Sequence, residues 1–333
     1  MLKNIAVLTS GGDSPGMNPA IRSVVRTALA HDCRVMGISN GFDGIFKGSV
    51  ETLTGKILSG MIDRGGTILQ SSRCKRFYDP AGIDEAKRRL IELGIQGLVI
   101  LGGDGSLTGA LELHRRGFPV IGIPASIDND IVGTEMAIGV DTAANTIMQM
   151  IDRIRDTARS HRRCFLIEVM GNQAGYLALT TAISCGGEVA VIPEFSYNMP
   201  RIVNLLKARF DQMRDNSIIV LAEGVCDADA FIARMKEEEQ GKEFVHEIRK
   251  TVLGHVQRGG SPTHFDRVLG ARFGELAVTG LLQAESGCMT GLSRSRLTLV
   301  DLEKVIGANK LLAPELIRLA HHLQIEFGDP IER

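Results

Sequence analysis

The sequence lacks paired cysteines, an excess of charge of either sign, and any apolar run long enough to cross a bilayer. Cys33, Cys74, Cys164, Cys185, Cys226 and Cys288 are scattered, with no C-x-x-C pair and no Cys/His ligand cluster, which argues against a disulfide scaffold or a structural zinc site. They read as reduced thiols, mainly of the core, although Arg73 beside Cys74 allows that one thiol some activation. A formal net charge of −1 offers nothing that attracts nucleic acid or an anionic membrane. The first residues run straight into a β-type stretch rather than a signal sequence, so a cytoplasmic protein with no nucleic-acid or membrane partner is expected. Two phosphate signatures are missing as well. Met17 follows Gly16 where a Walker A loop needs lysine, and the same loop fails as a dinucleotide fingerprint.

What the chain has in quantity is glycine, 38 residues in 333, and the glycines gather where apolar runs end. Ile5–Thr9 ends in Ser10-Gly11-Gly12-Asp13, and Gly97–Leu101 ends in Gly102-Gly103-Asp104-Gly105-Ser106. In the second half, Phe165–Val169 ends in Met170-Gly171-Asn172, Ile218–Leu221 in Ala222-Glu223-Gly224, and Thr251–Leu253 in a run from Gly254 to Pro262. Helical periodicity separates these strands, for instance at Ile21, Val24, Val25 and Ala28, over 83–93 and 107–116, and over 141–160. Alternation of this kind predicts mostly parallel sheets, which bind ligands beyond the C-terminal ends of their strands. At 333 residues the chain exceeds one ordinary domain, and no low-complexity linker divides it.

The most loaded turn is Pro124-Ala125-Ser126-Ile127-Asp128-Asn129-Asp130, which closes the apolar run 118–123. Two carboxylates at i and i+2 share a small volume at a cost unless a metal, a cation or a substrate proton answers them. The structural alternative is an Asx-rich turn in which Asp128 and Asp130 cap their own backbone. Around Asp104, three glycines exceed what a turn and a helix cap require, which suits phosphates lying on bare backbone with Asp104 holding Mg²⁺.

Together, Ser10–Asp13 with Pro15–Asn18, Gly102–Ser106, Ser126–Asp130 and Gly254–Pro262 resemble, in order, the motifs of the 6-phosphofructokinase family, and in particular its short bacterial members that use ATP. The likeness covers nearly the whole chain and weakens after about residue 285. It implies two Rossmann-like, three-layer α/β domains, one of 1–138 plus about 258–310 and one of 139–257 plus about 311–333, with the active site in the cleft between them.

It further implies an ATP site of Gly12, Arg73, Cys74, Gly103, Asp104, Gly105, Ser106 and Gly109, with Mg²⁺ on Asp104 and Arg73 at the terminal phosphate. Asp128 would take the proton from the 1-hydroxyl of fructose 6-phosphate, with Ser126, Ile127 and Asp130 completing the loop. Met170, Gly171, Asn172, Glu223, His255 and Arg258 would hold the sugar phosphate, joined by Arg163 and Arg249 from a neighbouring subunit of a homotetramer. Arg22, Arg26, Arg155, Glu188 and Arg214 match much of an effector pocket, and Gln212 stands where lysine is common. Gly105 and Ala125 occupy positions where pyrophosphate-using relatives carry aspartate and lysine, which favours ATP. Asn172 departs from the pattern, because the family usually has arginine there. The competing readings are a pyrophosphate-dependent phosphotransferase, a kinase for another sugar phosphate because of Asn172, and a sugar-phosphate sensor without catalysis.

Overall fold

A computed structural model describes residues 2–55, 57–161, 163–212, 216–238 and 247–331. The chain is α/β and forms two compact units, Met1–Thr142 with Arg258–Lys310, and Ala143–Gln257 with Leu311–Arg333. Among the described residues no helix is long and apolar enough to cross a membrane.

The first unit holds a seven-stranded sheet in the order Arg296–Asp301, Cys288–Ser293, Val120–Pro124, Gly97–Gly102, Asn4–Thr9, Arg34–Ile38, Val50–Thr52. Its five inner strands pair in parallel, and only the two edges are antiparallel. The near-continuous apolar runs follow from this, since Gly97–Gly102 and Val120–Pro124 are buried along their whole length. Helix Met17–Ala30 buries Met17, Ala20, Ile21, Val24, Val25 and Ala28. It lies close against helix His264–Leu282, because Gly270 and Gly274, one turn apart, face it without side chains. A Cβ at 270 would sit 2.8 Å from the Gly16 carbonyl oxygen, and one at 274 would sit 2.6 Å from that of Ala20.

The start of the second helix is pinned by a fully buried acid. Asp266 accepts hydrogen bonds from the backbone N–H groups of Gly139 and Thr142, both at 2.8 Å, and from the Thr142 hydroxyl at 2.5 Å. Burial still pushes its pKa up, to about 6, against the pull of those donors. A carboxyl whose folded-state pKa lies above its unfolded value binds a proton more readily when folded. Its cost to stability is therefore complete above about pH 6 and is relieved as pH falls towards 4. On going from pH 7.5 to 5, urea unfolding should show the wild type gaining about 1 kcal/mol relative to Asp266→Asn.

The second unit carries a wholly parallel four-stranded sheet, ordered Ile248–Val252, Cys164–Val169, Ser217–Ala222, Val189–Val191. Helices Met199–Asp211 and Ala228–Glu238 cover it with Ile202, Val203, Leu206, Phe231 and Met235. A two-stranded pair joins Phe195–Ser196 to Asp329–Pro330.

Several local expectations shift. The fourth helix begins at Asp104 rather than 107, so Asp104, Gly105 and Ser106 form its first turn. Gly41-Phe42-Asp43-Gly44, whose two glycines read in sequence as a turn, opens a short helix, Gly41–Lys47. Gly254–Arg258 is a 3-10 helix, and the tail helix spans only Pro314–His322. Pro314 provides its first turn, which excludes Leu311 from it.

Candidate functional site

In the first unit, register places three turns side by side. Gly102 pairs with Pro124 across the ladder, the Ala125 N–H donates to the Gly102 carbonyl at 3.0 Å, and the Ser10 N–H donates to Leu101 at 2.9 Å. All three turns therefore leave the same end of the sheet. Their crowding requires glycine at 102, where a Cβ would lie 2.4 Å from the Ser10 carbonyl oxygen and 2.5 Å from the Ser106 hydroxyl. A Cβ at Gly11 would lie 3.3 Å from that same hydroxyl, and the Ser71 hydroxyl donates to the Gly11 carbonyl at 2.6 Å. Gly105 differs. It has nothing within 4 Å of a Cβ position, so packing does not explain its glycine.

The acids gather where these turns meet. The Ser126 hydroxyl donates to Asp130 at 3.1 Å and accepts from the Asp128 N–H at 3.3 Å. Burial, then the charge of Asp130, push the pKa of Asp104 up. A Cβ at Gly103, just before the first-turn acid, would lie 4.0 Å from the Ser126 side chain, so that helix start adjoins the acidic loop. Ser126 and Asp128 are half-buried, and Asp104 keeps much of its residue surface in solvent although surrounding atoms partly desolvate its carboxyl. Among the described residues no three His, Cys, Asp or Glu side chains cluster as a metal cage. A first-turn carboxylate within reach of an acidic loop suits Mg²⁺, which takes one or two protein oxygens and completes its shell from water and phosphate.

The other expected ligands of the first unit have these surroundings. The guanidinium of Arg258 lies against Gly12 so closely that a Cβ there would sit 1.9 Å from its Nη1. Arg73 is exposed next to the buried Cys74. The Cys74 thiol is pushed up to about 11 by burial first and then by its hydrogen bond to Asp43, so the activation considered for it is not found. Gly109 has a packing reason. Phe42 and Phe77 stack with centroids 3.9 Å apart, and a Cβ at 109 would come within 2.9 Å of Phe42. Ile127 is buried, and Ala125 is buried and bridged to Ile138.

One charged residue was missed entirely. Lys310 donates to the Asn129 side-chain oxygen at 2.8 Å and to the Glu135 carbonyl at 3.1 Å. No periodicity or motif marks it, and 181 residues separate it from its partner in the chain.

In the second unit Glu223 organises the turn after Cys164–Val169. Its carboxylate accepts from the N–H groups of Gly171 at 3.3 Å and Asn172 at 3.0 Å, and the Met170 N–H donates to Gln257 at 3.1 Å. Asn172 sits at φ 51, a left-handed conformation that asparagine tolerates. Arg163 and Arg249 both pair with Glu247, Arg163 at 2.8 Å. His255 is exposed on the 3-10 helix that also carries Arg258.

The effector candidates divide between the units. Arg22 and Arg26 belong to the first. In the second, Arg155 donates to the carbonyls of Cys185 and Gly186, while Glu188 pairs with Arg209 at 2.6 Å and accepts from the Ile218 N–H at 2.6 Å. Arg155 and Glu188 thus have partners of their own in that unit, and Arg214 lies outside the described residues.

The chain has close counterparts among known proteins. The chain is 45% identical to an ATP-dependent 6-phosphofructokinase of Bacillus velezensis, over 97% of its own length and all of the relative's. It is 44% identical to the protein of that name from Bacillus subtilis over the same shares. Phosphofructokinase from Saccharomyces cerevisiae matches with TM-score 0.85 at 31% identity. The alignment covers 98% of this chain, which spans about half, 48%, of the yeast chain. A pyrophosphate-dependent phosphofructokinase from Marinobacter aquaeolei shares the fold, with TM-score 0.83 at 20% identity over 100% of this chain and 94% of its own. Residues 4–281 match the family model described as Phosphofructokinase, so the chain belongs to the phosphofructokinase family.

Proposed function

We propose that this chain transfers the terminal phosphoryl group of ATP to the 1-hydroxyl of fructose 6-phosphate, giving fructose 1,6-bisphosphate and ADP. The observation that carries the reading is the meeting of an acidic loop, Ser126–Asp130, with a bare-backbone helix start, Gly103–Ser106, at one end of one sheet. Phosphoryl transfer asks a protein mainly for position and for positive potential around the moving group. The N–H groups at the start of helix Asp104–Arg115 supply part of that potential without a lysine. Arg73 supplies more at the terminal phosphate, and Gly12 offers its backbone to the phosphates while its missing side chain makes room for Arg258.

Asp128 removes the proton of the attacking hydroxyl, and Ser126, which accepts from the Asp128 N–H, fixes the angle of that turn. Asp104 holds Mg²⁺, which when bound neutralises phosphate charge. Met170, Gly171, Asn172 and Glu223 contact the sugar, and His255 and Arg258 hold its 6-phosphate. ATP is preferred over pyrophosphate because Gly105 leaves open the space that an acid would fill and Ala125 adds no cation where pyrophosphate-using relatives carry lysine.

Arg163 and Arg249 complete the phosphate site of a neighbouring copy, so the active form is a homotetramer. Sedimentation should give a particle about four times the 36.0 kDa chain, with activity lost on dilution below its dissociation range.

The test is ADP release over a panel of sugar phosphates, repeated with pyrophosphate as donor. The reading expects fructose 6-phosphate with MgATP to be the best pair. Faster turnover with pyrophosphate, or with another sugar phosphate, would replace it.

A further inference from the structure

We infer that Lys310 is a positioning residue for the acidic loop, holding Asn129 in the left-handed turn that aims Asp128 and Asp130. The inference rests on the proposal that Asp128 is the general base.

Asn129 is 3% exposed and sits at φ 54, between the two carboxylates. Asparagine reaches that left-handed conformation more readily than most residues, and its side-chain bonds fix it there. Its amide group is fully engaged. The Nδ2 donates to the Glu135 carbonyl at 3.1 Å, while the Oδ1 accepts from the Ala137 N–H at 3.2 Å and from Lys310 Nζ at 2.8 Å. Lys310 also donates to the Glu135 carbonyl at 3.1 Å, so one ammonium ties both ends of the turn from 129 to 135.

The far end of that turn is fixed to the sheet. The Glu135 N–H donates to the Leu292 carbonyl at 2.8 Å, and its carboxylate accepts from the Arg294 N–H at 2.6 Å. Asn129 is thereby clamped against a rigid strand.

An ammonium is an expensive way to build a merely structural staple. Burial pulls the Lys310 pKa down to about 8, against the charges of Asp130 and Glu135, which favour its protonated form. An amide or hydroxyl would hold Asn129 at lower desolvation cost. A cation also offsets the mutual repulsion of the acids around it.

The experiment compares kcat and KM of the full chain carrying Lys310→Met with wild type, in both the native and the Asp128→Asn backgrounds. A misplacement of about 1 Å costs on the order of 10²-fold in rate, so kcat should fall by about 10- to 100-fold. KM for ATP should stay within about twofold, because the hydrogen bonds of Lys310 go to Asn129 and Glu135 in the acidic loop. In the Asp128→Asn background the same change should cost less than about twofold further, since the group being aimed is already gone.

A near-wild-type kcat, or an equal loss in both backgrounds, overturns the inference. If Lys310→Met does not fold, Lys310→Gln, which keeps a donor without the charge, carries the same comparison. Should Asp128→Asn itself keep its turnover, the general-base reading fails, and Lys310 is then judged on the kcat of its own variant in the native background.

Discussion

Replacing Asp128 with asparagine should leave the fold intact and lower kcat by roughly 10² to 10⁴, about 3 to 5 kcal/mol in the barrier. The two side chains have the same shape. Asp128 is half-buried in a loop whose shape is set by Ser126, Asn129 and the Ala125–Ile138 bridge, none of which needs the Asp128 charge. Asparagine cannot accept the proton that leaves the sugar hydroxyl. Substrate affinities should change far less than kcat, because the ATP contacts come from other turns. Steady-state kinetics with thermal unfolding checks both halves, and turnover near that of wild type would remove Asp128 from the role of base.

Gly105→Asp should lower kcat/KM for ATP by about 10³-fold, since an added carboxylate roughly 4 Å from a phosphate costs about 4 kcal/mol at an effective dielectric near 20. The folded protein should accept the change. Nothing lies within 4 Å of a Cβ at 105, its backbone is ordinary helix, and an acid in the first turn favours the helix dipole. The melting temperature should therefore stay level or rise slightly, which separates a lost binding space from a damaged fold. An ATP kcat/KM within tenfold of wild type would show that the phosphates do not lie against this turn.

Much of the first unit could be read from the chain because parallel strands buried on both faces have few spellings. Ile5–Thr9, Gly97–Leu101 and 118–123 are apolar runs bounded by glycine or proline, and they form three adjacent strands. The glycines around Asp104 were legible as an excess over turn chemistry, and the crowding at Gly102 together with the open space at Gly105 separates the two causes. Helix starts were less legible. Asp104-Gly105-Ser106 reads as loop by composition, yet Gly103 ends the strand and lets the helix begin at once.

Long-range polar contacts were not legible at all. Lys310 meets Asn129 and Asp266 meets Thr142 through tertiary placement, and neither contact leaves a period or a spacing in the sequence. The resemblance to a family supplied roles for Arg163, Arg249 and the effector arginines that no local pattern carries. The pairing of both Arg163 and Arg249 with Glu247 could not have been anticipated from either source.

The most direct test follows the phosphoryl group itself. With ATP labelled in its terminal phosphate and fructose 6-phosphate in excess, the label should appear on the 1-position of the sugar in step with ADP release. Label appearing as inorganic phosphate, or ADP formed without any labelled sugar, would contradict the account.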